Sequence, residues 1–163
     1  MKKKFLKFLS YLVLFLSVSL AVAFFRGGRT DYSDQLIPLP ESVILQSDNL
    51  KNQVKVYYFW ATWCSACKLN LPFIKFSYNM LKEKMIFLSI EEGESKEELE
   101  KFLKTNNIGF PVISGNPQLL KKFDVTAFPT TLFLNKKNEI VFSDSGILNP
   151  FSFFLRILIL QFF

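Results

Sequence analysis

Blocks of apolar and polar residues follow one another along this chain with alternating strand and helix periods. Lys55-Val56-Tyr57-Tyr58-Phe59-Trp60 is β-branched and aromatic with no breaker, which predicts a buried strand. Residues 68–82 read as a helix containing Pro72, a residue that should kink it. Residues 85–90 form a second apolar strand. Residues 94–104 are amphipathic: Leu99, Phe102 and Leu103 make one stripe, and Ser95 with Glu98 has capping-box spacing.

The pattern then shortens. Residues 110–113 are extended, and residues 116–123 predict a short helix with Asn116 as N-cap and Pro117 in its first position. Two strands, 130–134 and 139–143, are joined by Asn135-Lys136-Lys137-Asn138, a hairpin signal. Asn149-Pro150 opens a last helix over 151–163. It is apolar nearly all round but too short to span a membrane. It is expected to pack on the sheet and to leave excess apolar surface for a membrane or a partner. Upstream, residues 36–50 hold two prolines and the short apolar piece Ser42-Val43-Ile44-Leu45, an opening segment with a candidate edge strand. Strand–helix–strand order predicts a right-handed βαβ unit with parallel strands, and an α/β fold whose central sheet has helices on both faces.

The N-terminus is different in kind. From Phe8 to Phe25 no residue is charged, and the run is preceded by Lys2, Lys3, Lys4 and Lys7. A basic cluster ahead of an apolar run of this length is an export pattern with the N-terminus inside. It fits an uncleaved signal-anchor helix. Ala21-Val22-Ala23 also permits a cleaved signal peptide and a soluble periplasmic product. The expected organisation is a membrane segment at 1–29, a linker at 30–40 and a domain at 41–163. Residues 1–30 hold six of the 20 Lys and Arg and none of the 14 Asp and Glu, so the rest of the chain is formally neutral. The net charge of +6 therefore belongs to the leader and gives no sign of nucleic-acid binding.

Two cysteines, Cys64 and Cys67, stand in Phe59-Trp60-Ala61-Thr62-Trp63-Cys64-Ser65-Ala66-Cys67, between a strand and a helix. The chain has no histidine, which removes Cys-His catalysis and His-ligated zinc or haem. One cysteine pair supplies only half of a tetrahedral zinc site, although two thiolates could hold Cu(I). A structural disulfide or inert thiols are the plainest alternative. The strand before and the helix after favour redox chemistry, because free N–H groups and the macrodipole at a helix N-terminus stabilise a thiolate. No cofactor is expected.

The segment 59–67 resembles the FWAxWCxxC motif of thioredoxin-fold proteins. With Thr62, Lys68 and Pro72 it is similar to the exported TlpA-like thiol–disulfide oxidoreductases, and within them to the ScsD-like branch. A second match, Val125-Thr126-Ala127-Phe128-Pro129-Thr130-Thr131-Leu132-Phe133-Leu134, resembles the family's cis-proline segment. The resemblance covers roughly residues 40–150. It implies a thioredoxin-like mixed sheet, Cys64 as the exposed nucleophile and Cys67 as the buried resolving thiol. It also implies a cis peptide before Pro129, with Phe128 offering its backbone to a substrate and Trp63 covering the site. Implied partners are cysteine-containing exported proteins and a membrane redox protein.

The chain departs from the family at the proton acceptors. Tyr58 stands where thioredoxin has a buried acid, and Asn70 where many TlpA-like reductants have one. Glu91 or Glu92, at the end of the next strand, could substitute; otherwise they are a solvated strand end.

Overall fold

The computed structural model of the chain describes residues 2–25 and 52–162. The candidate edge strand within 36–50 and the linker lie outside those residues. Ten elements are described: α1 (Lys2–Phe25), β1 (Val54–Trp60), α2 (Ser65–Leu81), β2 (Met85–Glu91), α3 (Lys96–Thr105), β3 (Val112–Ser114), α4 (Pro117–Lys122), β4 (Thr130–Leu134), β5 (Ile140–Ser145) and α5 (Pro150–Phe162).

The strands form one mixed sheet in the order β3-β2-β1-β4-β5. β1 pairs in parallel with β2, from Val54 opposite Met85 to Trp60 opposite Glu91. On its other side β1 pairs antiparallel with β4, from Lys55 opposite Leu134 to Phe59 opposite Thr130. The β1–α2–β2 unit is thus the predicted βαβ crossover. β1, β2 and β4 are buried along their whole length, and this explains their continuous apolar runs.

Strand alternation divides the core into two layers. Val54, Val56, Tyr58 and Trp60 face α2 and α5, meeting Cys67, Leu71 and Ile74 from α2 and Phe153, Ile157 and Leu160 from α5. Phe102 and Leu103 of α3 join the edge of this layer, with the Phe102 ring 5.6 Å from Trp60. Tyr57, Phe59, Leu88, Ile90 and Leu132 face the other way, against Phe123 and the flanking Leu119 and Leu120 of α4. Helices on both faces follow from strands that are apolar on both faces.

Caps set the helix boundaries. The Ser95 side chain accepts the Glu98 N–H at 3.3 Å, and Asn116 accepts the Leu119 N–H at 2.8 Å. α2 begins three residues earlier than the periodicity predicts and runs on through Pro72. Its first turn carries polar and small residues, so apolar spacing cannot mark it. The C-terminal helix packs on the sheet as expected. Its buried Arg156 pairs with Asp144 of β5 and lies over the Phe133 and Phe142 rings, at 5.4 and 5.2 Å.

α1 forms a helix where the export segment was read. Among the described residues no helix is long and apolar enough to cross a membrane.

Candidate functional site

The ends of β1 and β2 and the start of β4 converge at one end of the sheet, and the cysteine pair sits there. β1 ends at Trp60, the chain turns through Ala61–Trp63, and Cys64 becomes the N-cap of α2. The Cys64 amide donates to the Ala61 carbonyl at 3.2 Å, and the Lys68 amide donates to the Cys64 carbonyl at 3.1 Å. Cys64 Sγ accepts the backbone N–H of Cys67 at 3.1 Å. A sulfur thus occupies the place where a Ser or Asp oxygen usually caps a helix, and it receives one of the donors that a helix start leaves unsatisfied.

Cys64 and Cys67 are joined by a disulfide with their Cα atoms 5.2 Å apart. Cys67 is fully buried and Cys64 is 7% exposed. The order of accessibility is the one that the resemblance implies, but Cys64 is less open than an exposed nucleophile. Its sulfur is turned onto the helix start and bonded to Cys67.

The peptide between Phe128 and Pro129 is cis. Phe59 pairs with Thr130, so Pro129 falls beside the end of β1, where the Ala61–Cys64 turn begins. The Pro129 carbonyl accepts the Gly146 N–H at 2.8 Å, which ties this loop to the β5–α5 turn. Trp63 is 65% exposed, and its ring meets the edge of Phe128 at 5.9 Å. Behind Trp63 lies Gly93 at φ +112°, where a Cβ would come within 3.0 Å of the indole nitrogen. Only glycine suits both that backbone and that contact. Trp63 and Phe128 therefore form an apolar edge beside the pair.

The proton acceptors differ from the family pattern, and the structure shows how. Tyr58 is fully buried, and burial raises its phenol far above the physiological range, so it stays neutral there. Asn70 is 2% exposed and acts as a brace. Its Nδ2 donates to the Gly146 carbonyl at 3.3 Å, and its Oδ1 accepts the Leu148 N–H at 3.2 Å. One helical turn past Cys67, it fastens α2 to the same turn that holds Pro129. The sequence reading missed this brace; an amide in an otherwise apolar helix face was the available signal.

Glu91 ends β2 opposite Trp60 and is 1% exposed. It is not a solvated strand end. Alternation puts it with Met85, Phe87 and Ser89 on the α2 side of the sheet, the side that holds both cysteines. Ser89 accepts the Trp60 indole N–H at 2.6 Å. Neither Glu91 carboxylate oxygen is bonded to another side chain. Burial pushes its carboxyl above the ordinary value; the backbone of Thr62 and Glu94 offsets part of this, and the charges of Glu94 and Glu92 add to it. Glu92 is half-buried. The Thr62 hydroxyl donates to the Glu94 carboxylate and links the turn before the cysteines to the loop after β2. Among the described residues no group of three or more His, Cys, Asp or Glu is placed to hold a metal ion.

A βαβ unit extended by an antiparallel hairpin, a cysteine pair capping the crossover helix and a cis-proline beside it define a thioredoxin-fold protein. The sequence profile of the Thioredoxin-like family matches residues 52–140, and the chain belongs to that family.

The chain is 30% identical over 99 residues to the thiol-disulfide oxidoreductase ResA of Bacillus subtilis, covering 60% of this chain and 55% of that protein. It is also 30% identical over 95 residues to the sporulation thiol-disulfide oxidoreductase A of the same organism, covering 55% and 58%. These matches span little more than half of either relative. A thiol:disulfide interchange protein of Chlorobium tepidum superposes with a TM-score of 0.63 at 21% identity, over 71% of this chain and 84% of that one. StoA from Bacillus subtilis superposes with a TM-score of 0.57 at 24% identity, over 64% and 81%. At these identities the two superpositions speak for the fold alone.

Proposed function

We propose that the chain is a thiol–disulfide oxidoreductase that exchanges its Cys64–Cys67 disulfide with cysteines of exported proteins. One observation carries the reading: Cys64 Sγ caps α2 and takes the Cys67 N–H. In the reduced protein that N–H and the helix macrodipole favour the thiolate, the form that attacks a disulfide. The Cys64 thiolate attacks one sulfur of a substrate disulfide and the other sulfur leaves as a thiolate. Cys67 then loses its proton, attacks Cys64 Sγ and expels the substrate's second thiolate, which regenerates the Cys64–Cys67 disulfide. The reverse sequence oxidises a reduced substrate. The names of the Bacillus subtilis relatives support the same chemistry.

In this reading Trp63 and Phe128 receive the substrate chain, and Pro129 shapes the loop beside the pair. Glu91 takes the Cys67 proton. A buried carboxyl with a raised pKa accepts that proton more readily than an ordinary carboxylate does, and it can return it on the reverse step. Tyr58 and Asn70 cannot substitute, the first because it stays neutral and the second because it has no titratable group.

The uncharged run from Phe8 to Phe25 behind four lysines supports export and tethering by α1, with the domain facing the periplasm or cell exterior. A membrane redox partner would then set the direction of electron flow. The test uses the full chain in detergent, assayed for insulin-disulfide reduction and for oxidation of a reduced dithiol peptide. Wild type should be active in at least one assay and Cys64→Ala in neither. Equal rates for the two proteins in both assays would overturn the proposal.

A further inference from the structure

The outer face of the α2–α5 layer is apolar, and neither helix carries a carboxylate. Leu69, Phe76 and Met80 on α2, and Phe151, Leu158 and Phe162 on α5, are each more than half exposed. Their spacings, +7 and +11 on both helices, put each set on one side of its helix. Phe73 joins the sets, lying between Leu69 and Phe76 and meeting the Phe153 and Phe154 rings of α5 at 5.3 and 6.0 Å. The two stripes thus form one surface, and a contiguous apolar surface of this kind marks an interaction site.

The charges around it are mainly of one sign. Lys68 on α2 is exposed, as are Lys82 and Lys84 just past its end, with Glu83 between them. Lys136 of the β4–β5 turn donates to the Gln161 carbonyl at 2.8 Å, which brings Lys136 and Lys137 to the end of α5. α3, by contrast, presents both signs in equal number, Glu97, Glu98 and Glu100 with Lys96, Lys101 and Lys104.

We propose that the α2–α5 face rests on an anionic lipid surface. Phenylalanine and aliphatic side chains would enter the acyl boundary, and the lysines would meet the headgroups. A lipid surface suits this face better than a folded partner does, because the face combines side-by-side apolar stripes with a cationic margin and offers no row of hydrogen-bonding groups. The cysteine pair lies at the N-terminal end of α2, so docking would hold it close to the bilayer. The proposal does not depend on the exchange reading.

The test uses the full chain in vesicles of equal phosphatidylcholine and phosphatidylglycerol with brominated acyl chains, which quench nearby tryptophan. Trp63→Phe removes the exposed indole and leaves the buried Trp60 as internal reference. Phe76→Trp then reports from the proposed face and Lys101→Trp from α3. The expected result is loss of the Phe76→Trp signal, an intact Lys101→Trp signal, and recovery of the former in phosphatidylcholine alone or after Lys82→Glu, Lys84→Glu and Lys137→Glu together. Equal quenching of both reporters, or quenching of neither, would overturn the proposal. So would quenching that ignores lipid charge and the lysine changes, or protection of Phe76→Trp that grows with protein concentration, the sign of a second copy on the face. Disulfide exchange by the wild-type chain on the same vesicles separates this outcome from the fate of the proposed activity.

Discussion

At the scale of single residues, the account rests on one sulfur and one carboxyl. Cys64 accepts a backbone N–H at the start of α2, and its neighbour three residues on is buried within disulfide reach. Cys67→Ala should trap a mixed disulfide at Cys64 that persists on non-reducing electrophoresis; if no adduct forms with a disulfide substrate, Cys64 is not the attacking group. Glu91 gives a prediction with a definite sign. Its folded pKa is raised, so between the ordinary carboxyl value of 4.5 and the raised value the folded state binds more protons than the unfolded state. Stability should therefore fall as pH rises through that window. Glu91→Gln should flatten that slope in denaturant titrations and be the more stable form at neutral pH, while slowing the step in which Cys67 resolves the adduct. An unchanged slope would mean that Glu91 is ionised in the folded protein at no cost.

Elements were legible where the sequence pattern and the structural requirement coincide. β1, β2 and β4 read as apolar runs because they are buried on both faces, and α3 and α4 read from their caps and stripes. The start of α2 did not read so clearly. Ser65-Ala66-Cys67 has no apolar period, and the cap is a cysteine, a residue type that propensity does not associate with capping. The burial of Glu91 follows from strand alternation with Met85, Phe87 and Ser89, but a glutamate at a strand end reads first as solvated. The role of Asn70 was hidden for a different reason. Its partners, Gly146 and Leu148, lie more than seventy residues away, and no local pattern reports them. Asn70→Ala should leave the Leu148 N–H without its partner and cost about 1–3 kcal/mol, read from the denaturant midpoint. Ser95→Ala should cost about 1 kcal/mol through the lost cap of α3, with disulfide exchange unaffected. A change in exchange rate for Ser95→Ala would show that α3 communicates with the pair.

For the whole molecule, the sequence anticipated a mixed sheet with β1 and β2 as parallel neighbours and a β4–β5 hairpin; that the hairpin joins the sheet through β4 against β1 is what the structure adds. The apolar C-terminal helix was expected to pack on the sheet and does. The breadth of the surface that it shares with α2 was not legible, since it depends on which helices lie side by side. All of this places a cysteine at the N-terminus of a helix held in one position by the sheet, by Asn70 and by the Pro129 loop. The most direct test is the pH dependence of Cys64 alkylation in the reduced full chain, mapped to that residue by mass spectrometry. The account predicts a midpoint well below the ~8.5 of a free thiol. A midpoint at or above that value would contradict it.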